Sequence, residues 1–265
     1  QEIFDPRFKQ KKVRVFMRRL DLISSKISGN KFFKLKYNIE YAIKSKYRSI
    51  ITFGGAYSNH ILATSIISKE NNINCIAYVR GEESLPLNPT LNDAINNGME
   101  IKYITRSDYK KIKNEDYLNI LIEDYKNSYV LPEGGTNSLA IKGTESILNP
   151  DEKFEYVCCP IGTGGTISGI INSSNQNQKI IGFPALKGVR QIKEEIHFYT
   201  NKNNWIVNED YCFGGYAKIS SDLIRFINDF YRNNDIVLDA VYTGKMMFGI
   251  MDLISNNYFP KGSNI

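Results

Sequence analysis

From about residue 48 onward the chain alternates short apolar runs with stretches of helical periodicity, and no other feature limits its fold as much. Short runs rich in Ile, Val and Tyr, each followed by a longer amphipathic stretch, suit parallel strands buried under helices. The expected strands are Ser49–Phe53, Ile73–Val79, Met99–Ile104, Ser128–Leu131, Glu155–Cys159 and Lys179–Phe183. The expected helices are Ser58–Lys69, Pro89–Asn97, Asn114–Asp124, Leu139–Leu148, Gly165–Ser173, Ser221–Arg232 and Lys245–Ser255. A βαβ rhythm of this kind gives an α/β fold with open, mostly parallel sheets covered by helices.

Composition excludes several classes of function. At 42% hydrophobic and 23% charged residues the 265-residue chain has ordinary globular content, enough for one large domain or two smaller ones. No stretch is apolar for the length of a membrane span, and no basic-then-apolar leader opens the sequence, so the expectation is a cytoplasmic protein without a membrane partner. The net charge of +6 is dispersed. Its densest run, Lys9 to Arg19, is interleaved with Val13, Val15, Phe16 and Met17, which suits a strand with a solvated face better than a nucleic-acid surface. Cys75, Cys158, Cys159 and Cys212 lack metal-site spacing and read as buried thiols. With His60 and His197 the only histidines, no metal is expected, and no G-x-S-x-G elbow is present.

Three joints between a strand and a helix carry paired glycines. In "VCCPIGTGGTISGII" the strand passes into a helix through Gly162-Thr163-Gly164-Gly165-Thr166. Glycines let several backbone N–H groups converge, and the helix start adds its positive end, so an anion site is one reading and a tight βα turn the other. The loop lacks the Lys-Ser/Thr pair of a Walker motif and the spacing of a dinucleotide fingerprint. "ITFGGAYSNHILA" ends in Ser58-Asn59-His60, where Ser58 or Asn59 serves as an N-cap or else all three face a ligand beyond the strand ends. "VLPEGGTNSLAIKG" repeats the design with Glu133 to Asn137, and together the joints suggest a shared cleft.

The stretch Ser28 to Leu35, "SGNKFFKL", sets Lys31 and Lys34 in what reads as the first turn of a helix capped by Asn30. That is the wrong end for positive charge, because the helix dipole and the neighbouring ammonium both disfavour it. One reading is a solvated surface pair. The other is a lysine of lowered pKa, the kind that forms an imine with a carbonyl cofactor. Joined to a phosphate loop elsewhere, an aldehyde to hold and a phosphate to anchor describe pyridoxal 5'-phosphate.

On these residues the chain resembles the 1-aminocyclopropane-1-carboxylate deaminase and D-cysteine desulfhydrase family, in the tryptophan-synthase-β-like fold group. The resemblance rests on an ordered set: Arg18-Arg19-Leu20-Asp21-Leu22, "GNKFFKL", "GGAYSNH", "PEGGTN", "GTGGTISG" and "DAVYTGKMMFG" from Asp239 to Gly249. It implies a two-domain, fold type II pyridoxal-phosphate enzyme. Residues 1–40 and 141–265 would form a larger cofactor-binding domain and 41–140 a smaller inserted βα domain. Lys31 would bond the cofactor's aldehyde, Asn59 its ring hydroxyl, and Gly162, Thr163, Gly164, Gly165 and Thr166 its phosphate, with Lys34 helping to bind it. Ser58, Tyr216 and Tyr242 would act at the substrate. A homodimer is the family expectation.

The resemblance also bears on substrate. Deaminases of the cyclopropane amino acid carry an acid at the position of Thr243 and a Gln at that of His60, so both residues, on the substrate side, resemble the desulfhydrase branch. The expected reaction is β-elimination from a small amino acid such as D-cysteine, giving pyruvate, ammonia and sulfide. The alternatives are deamination of 1-aminocyclopropane-1-carboxylate or another small D-amino acid, and a pyridoxal-phosphate-binding relative impaired in catalysis. Departures stand near the substrate position: Ala56-Tyr57 before the Ser-Asn-His triplet and Ala240 where a Pro is usual. Family members continue with a strand and a loop whose Thr meets the pyridine nitrogen, and the larger domain is expected to lack that strand.

Overall fold

The apolar runs do become parallel strands, and they collect into two separate sheets. The computed structural model describes residues 1–24, 27 and 29–265. It divides into two compact units, residues 20–143 and residues 1–19 with 144–265.

In the unit 20–143, four parallel strands lie in the order Met99–Ile104, Asn74–Arg80, Ser49–Gly54, Ser128–Leu131. Ser49–Gly54 is central and buried at every position, as Ile50, Ile51 and Phe53, apolar on both faces, require of a covered strand. The chain builds outward from it on one side and then returns to pair on the other. The strand ends at Gly54 and Leu131 therefore flank a topological switch point, where the following segments diverge and leave a crevice. The helix Asn30–Lys44 belongs to this unit: Leu35, Ile39 and Ala42 on its buried face pack with Ile50, Ala63 and Leu131. Its approach to the helix Ser138–Thr144 is close. A Cβ at Gly143 would stand 2.0 Å from the Phe33 carbonyl oxygen, so only glycine fits there.

In the other unit three parallel strands run in the order Tyr156–Ile161, Lys179–Pro184, Trp205–Val207. A core of Phe8, Val15, Ile181, Phe183, Phe230, Met251 and Ile254 joins this sheet to the helices Pro6–Lys11, Ser221–Asn234 and Thr243–Ser255. Glu2–Ile3 pairs antiparallel with Val15–Phe16, and Asn264 bridges in parallel to Arg14.

Several expected elements are corrected. The run Lys9 to Arg19 is not one strand. Pro6–Lys11 is a helix with the Asp5 side chain accepting from the Arg7 N–H, and within the run the strand is confined to Val15–Phe16, with Arg14 in a single bridge beside it. An Asp followed by Pro at the first helical position is a helix start that outweighs the alternation after it. The helix expected from Leu139 to Leu148 stops at Thr144 and tightens into a 3-10 turn at Glu145–Ile147. The helix of the two lysines is capped by Gly29, at φ 66°, rather than by Asn30, which is its first residue. Ser28, which opens that stretch, lies outside the described residues.

Candidate active site

In the unit 20–143 the start of the helix Asn30–Lys44 holds two lysines with different fates. Lys31 is half-buried and makes no hydrogen bond to the described residues, and burial brings its pKa down from 10.5 to about 8. Lys34 is 1% exposed and committed to structure: its Nζ donates to the Gly134 carbonyl and, at 2.8 Å, to Thr136 Oγ1. It thereby fixes the glycine segment after the strand Ser128–Leu131.

The neighbouring segment presents the Ser-Asn-His triplet at the start of the helix Asn59–Glu70. Ser58 is the N-cap, its hydroxyl oxygen accepting from the Ile61 N–H. Asn59 is exposed and its amide makes no hydrogen bond to the described residues, so it is available to a ligand. His60 points inward and is 2% exposed. Burial first, and then the charges of Lys31 and Lys34, hold its pKa well below the usual value. Lys31, Lys34 and His60 are thus brought together at the switch point of this sheet, beside Gly135 and Thr136.

The other unit assembles the remaining residues. Its strand Tyr156–Ile161 passes through Gly162 and Thr163 to Gly164, which caps the helix Gly165–Ser173 at φ 87° and offers no side chain to its first N–H groups. A helix start after a parallel strand, among glycines and with no side-chain hydrogen bond from its N-cap, is a geometry that can take an anion. Tyr242 lies against this loop: a Cβ at Gly162 would meet its ring at 3.3 Å. Tyr216 makes an edge contact with Tyr242, ring centroids 6.4 Å apart. Thr243 is engaged locally. Its hydroxyl donates to Asp239 Oδ2 at 2.6 Å and accepts from the Asp239 N–H at 2.9 Å.

Three residues of this architecture were not singled out from sequence. Asp239 gathers the N–H groups of Val241, Tyr242 and Thr243 and so sets the pose of Tyr242. The signal was present, an Asp just ahead of a helix. Lys245 is 1% exposed and donates to the carbonyls of Cys212 and Gly215 at 2.9 and 2.7 Å, tying down the segment that leads into Tyr216. Thr52, inside the central strand, bonds His60. Nothing local in sequence marks either of these.

Each unit by itself offers chemistry that matches part of one cofactor type. A lysine amine near neutrality adds to an aldehyde, and a glycine cradle of N–H groups takes a phosphate; pyridoxal 5'-phosphate carries both. Residues 5–265 match the family described as pyridoxal-phosphate dependent enzyme. The bifunctional D-cysteine desulfhydrase/1-aminocyclopropane-1-carboxylate deaminase of Arabidopsis thaliana mitochondria is 30% identical over 273 residues, 92% of this chain and 68% of the relative. The 1-aminocyclopropane-1-carboxylate deaminase of Bradyrhizobium sp. (strain BTAi1) is 25% identical over 289 residues, 96% of this chain and 85% of the relative. A crystal structure of an ACC deaminase homologue has a TM-score of 0.79 at 25% identity, covering 98% of this chain and 84% of that one. The fold is that of type II pyridoxal-phosphate enzymes. Because the match runs from residue 5 to residue 265 and takes in the lysine helix, the Ser-Asn-His joint and the glycine loop alike, the chain belongs to the pyridoxal-phosphate dependent enzymes, in the family of 1-aminocyclopropane-1-carboxylate deaminase and D-cysteine desulfhydrase.

Proposed function

We propose that this protein eliminates the β-substituent of a small amino acid, with D-cysteine plus water giving pyruvate, ammonia and sulfide. The observation that carries the proposal is Lys31, an amine with a pKa of about 8 at a helix start that nothing in helix energetics favours. Lys31 would bond the cofactor's aldehyde, Asn59 its ring hydroxyl, and residues 162–166 would hold its phosphate. When bound, the cofactor supplies an electron sink for the bond broken at the α-carbon.

The chain's own groups then orient the substrate and move protons. Lys31 would take the α-proton at Nζ, for which a pKa near the working pH is the useful value. The Ser58 hydroxyl stands at the mouth of the helix Asn59–Glu70 as a proton-transfer group, and Tyr216 and Tyr242 frame the leaving side chain. Thr243 contributes no carboxylate at the position where the deaminases of the cyclopropane acid carry one, and its hydroxyl is already spent on Asp239. This supports the desulfhydrase reading.

A second reading, deamination of 1-aminocyclopropane-1-carboxylate, is favoured by the names of the relatives, one of which carries both activities. The two separate in a direct assay. Sulfide release from D-cysteine should exceed 2-oxobutanoate formation from the cyclopropane acid, and the reverse ranking would defeat the argument from Thr243. A protein that holds the cofactor yet turns over neither compound would match the impaired relative instead.

A further inference from the structure

The hydrogen bonds around Thr52 determine which nitrogen of His60 carries the proton. Thr52 is fully buried in the strand Ser49–Gly54, and its Oγ1 lies 2.7 Å from His60 Nε2 and 3.0 Å from the Leu131 carbonyl oxygen. A hydroxyl has one proton. Given to Leu131, it leaves lone pairs that can only accept from His60, so Nε2 bears the hydrogen and Nδ1 is bare. Given instead to Nε2, it would abandon the Leu131 carbonyl and turn Nδ1 into a buried N–H with no acceptor, the rarer and costlier kind of orphan.

Either way His60 Nδ1 has no hydrogen-bond partner among the described residues, although the side chain is 2% exposed. A histidine that served only the core would have both nitrogens satisfied, so the orphan needs an explanation. The ring edge bearing it is turned to Gly135, where a Cβ would come within 2.9 Å of Cε1 and 3.2 Å of Nδ1. Glycine there, at φ 65°, sets no side chain against that edge. Burial together with the positive charges of Lys31 and Lys34 keeps the imidazole neutral, the state in which Nδ1 can only accept.

We propose that Thr52 locks His60 as its Nε2–H tautomer, so that Nδ1 is a standing hydrogen-bond acceptor for an amine nitrogen at the active site, that of Lys31 or that of the bound amino acid. Thr52 is then a positioning residue acting through His60. The amino-acid arm rests on the function proposed above; the tautomer does not.

The protein has two histidines, which makes the test direct. Long-range proton–nitrogen correlation spectra of the imidazoles are recorded at pH 7.5, with His197→Gln to assign His60. The expected result is a neutral Nε2–H pattern, with mixed tautomers in Thr52→Val and restoration in Thr52→Ser. An Nδ1–H or doubly protonated ring in the unaltered protein, or an unchanged pattern in Thr52→Val, would overturn the proposal. The donor is identified by the Nδ1 resonance, read in the cofactor-free protein for Lys31, whose nitrogen is an amine only there, and in the holoenzyme for the amino acid. If Lys31→Met moves it downfield without added amino acid, Lys31 is the donor. If D-alanine, which carries the amine but no leaving group, moves it upfield, the amino acid is. A resonance indifferent to both contradicts the acceptor role even where the tautomer is as stated. Failure of D-cysteine turnover alongside the expected tautomer and Lys31 effect would count against the substrate reading alone.

Discussion

Lys31 and Lys34 stand three positions apart and do opposite things. Lys31 keeps a reactive amine, and the sign of its pH dependence follows from its depressed pKa. The folded protein gives up this proton at about 8 and the unfolded chain at 10.5, so between those values the unfolded state binds more protons and folding stability rises with pH. The same deprotonation governs chemistry: the rate at which apoprotein takes up pyridoxal phosphate covalently should climb with pH and level off above about 8. Stopped-flow absorbance across pH 6–10 checks this, and a climb continuing to ~10.4, the ordinary lysine range, would mean that burial does not tune the amine. Gly135 shows a different constraint, since alanine would need φ 65° and would press on His60 at 2.9 Å. Gly135→Ala should lose about 1–3 kcal/mol in urea unfolding. The pairing of Lys31 with a glycine cradle was legible in sequence because both are local motifs. The burial of Lys34 and Lys245 was not, because lysine ordinarily solvates and their carbonyl partners lie 100 and 30 residues away in the chain.

Elements were legible where their signal was internal to them. Met99–Ile104, Ser128–Leu131 and Gly165–Ser173 have the expected bounds, and most other elements from residue 48 onward shift by a residue or two. The helix Val189–Tyr199 escaped notice, since it starts from Gly188 without a capping side chain and buries only Val189, Ile192 and Ile196 amid charge. Close approaches between elements were also hidden. Gly143→Ala should destabilise by more than about 2 kcal/mol, because the intruding Cβ meets the Phe33 backbone rather than a flexible side chain. Thermal unfolding measures it, and a neutral result would show that the two helices are not held this closely. Ser58→Ala removes a helix cap as well as a proposed catalytic hydroxyl. Its stability loss should be about 1 kcal/mol, while the loss of turnover should far exceed what so small a destabilisation explains.

For the whole molecule, cofactor binding is linked to stability. A ligand that binds only the folded state raises its stability, by about 2.7 kcal/mol at a hundredfold excess over Kd. Removing pyridoxal phosphate should therefore lower the melting temperature of the holoenzyme. Lys31→Met should retain part of the stabilisation by added cofactor, since the phosphate cradle remains. The most direct test of the account is chemical. Holoenzyme reduced with borohydride and digested should carry a pyridoxyl group on the peptide containing Lys31, and Lys31→Ala should carry none. A pyridoxyl group on another lysine, or a colourless protein that binds no pyridoxal phosphate, would contradict it.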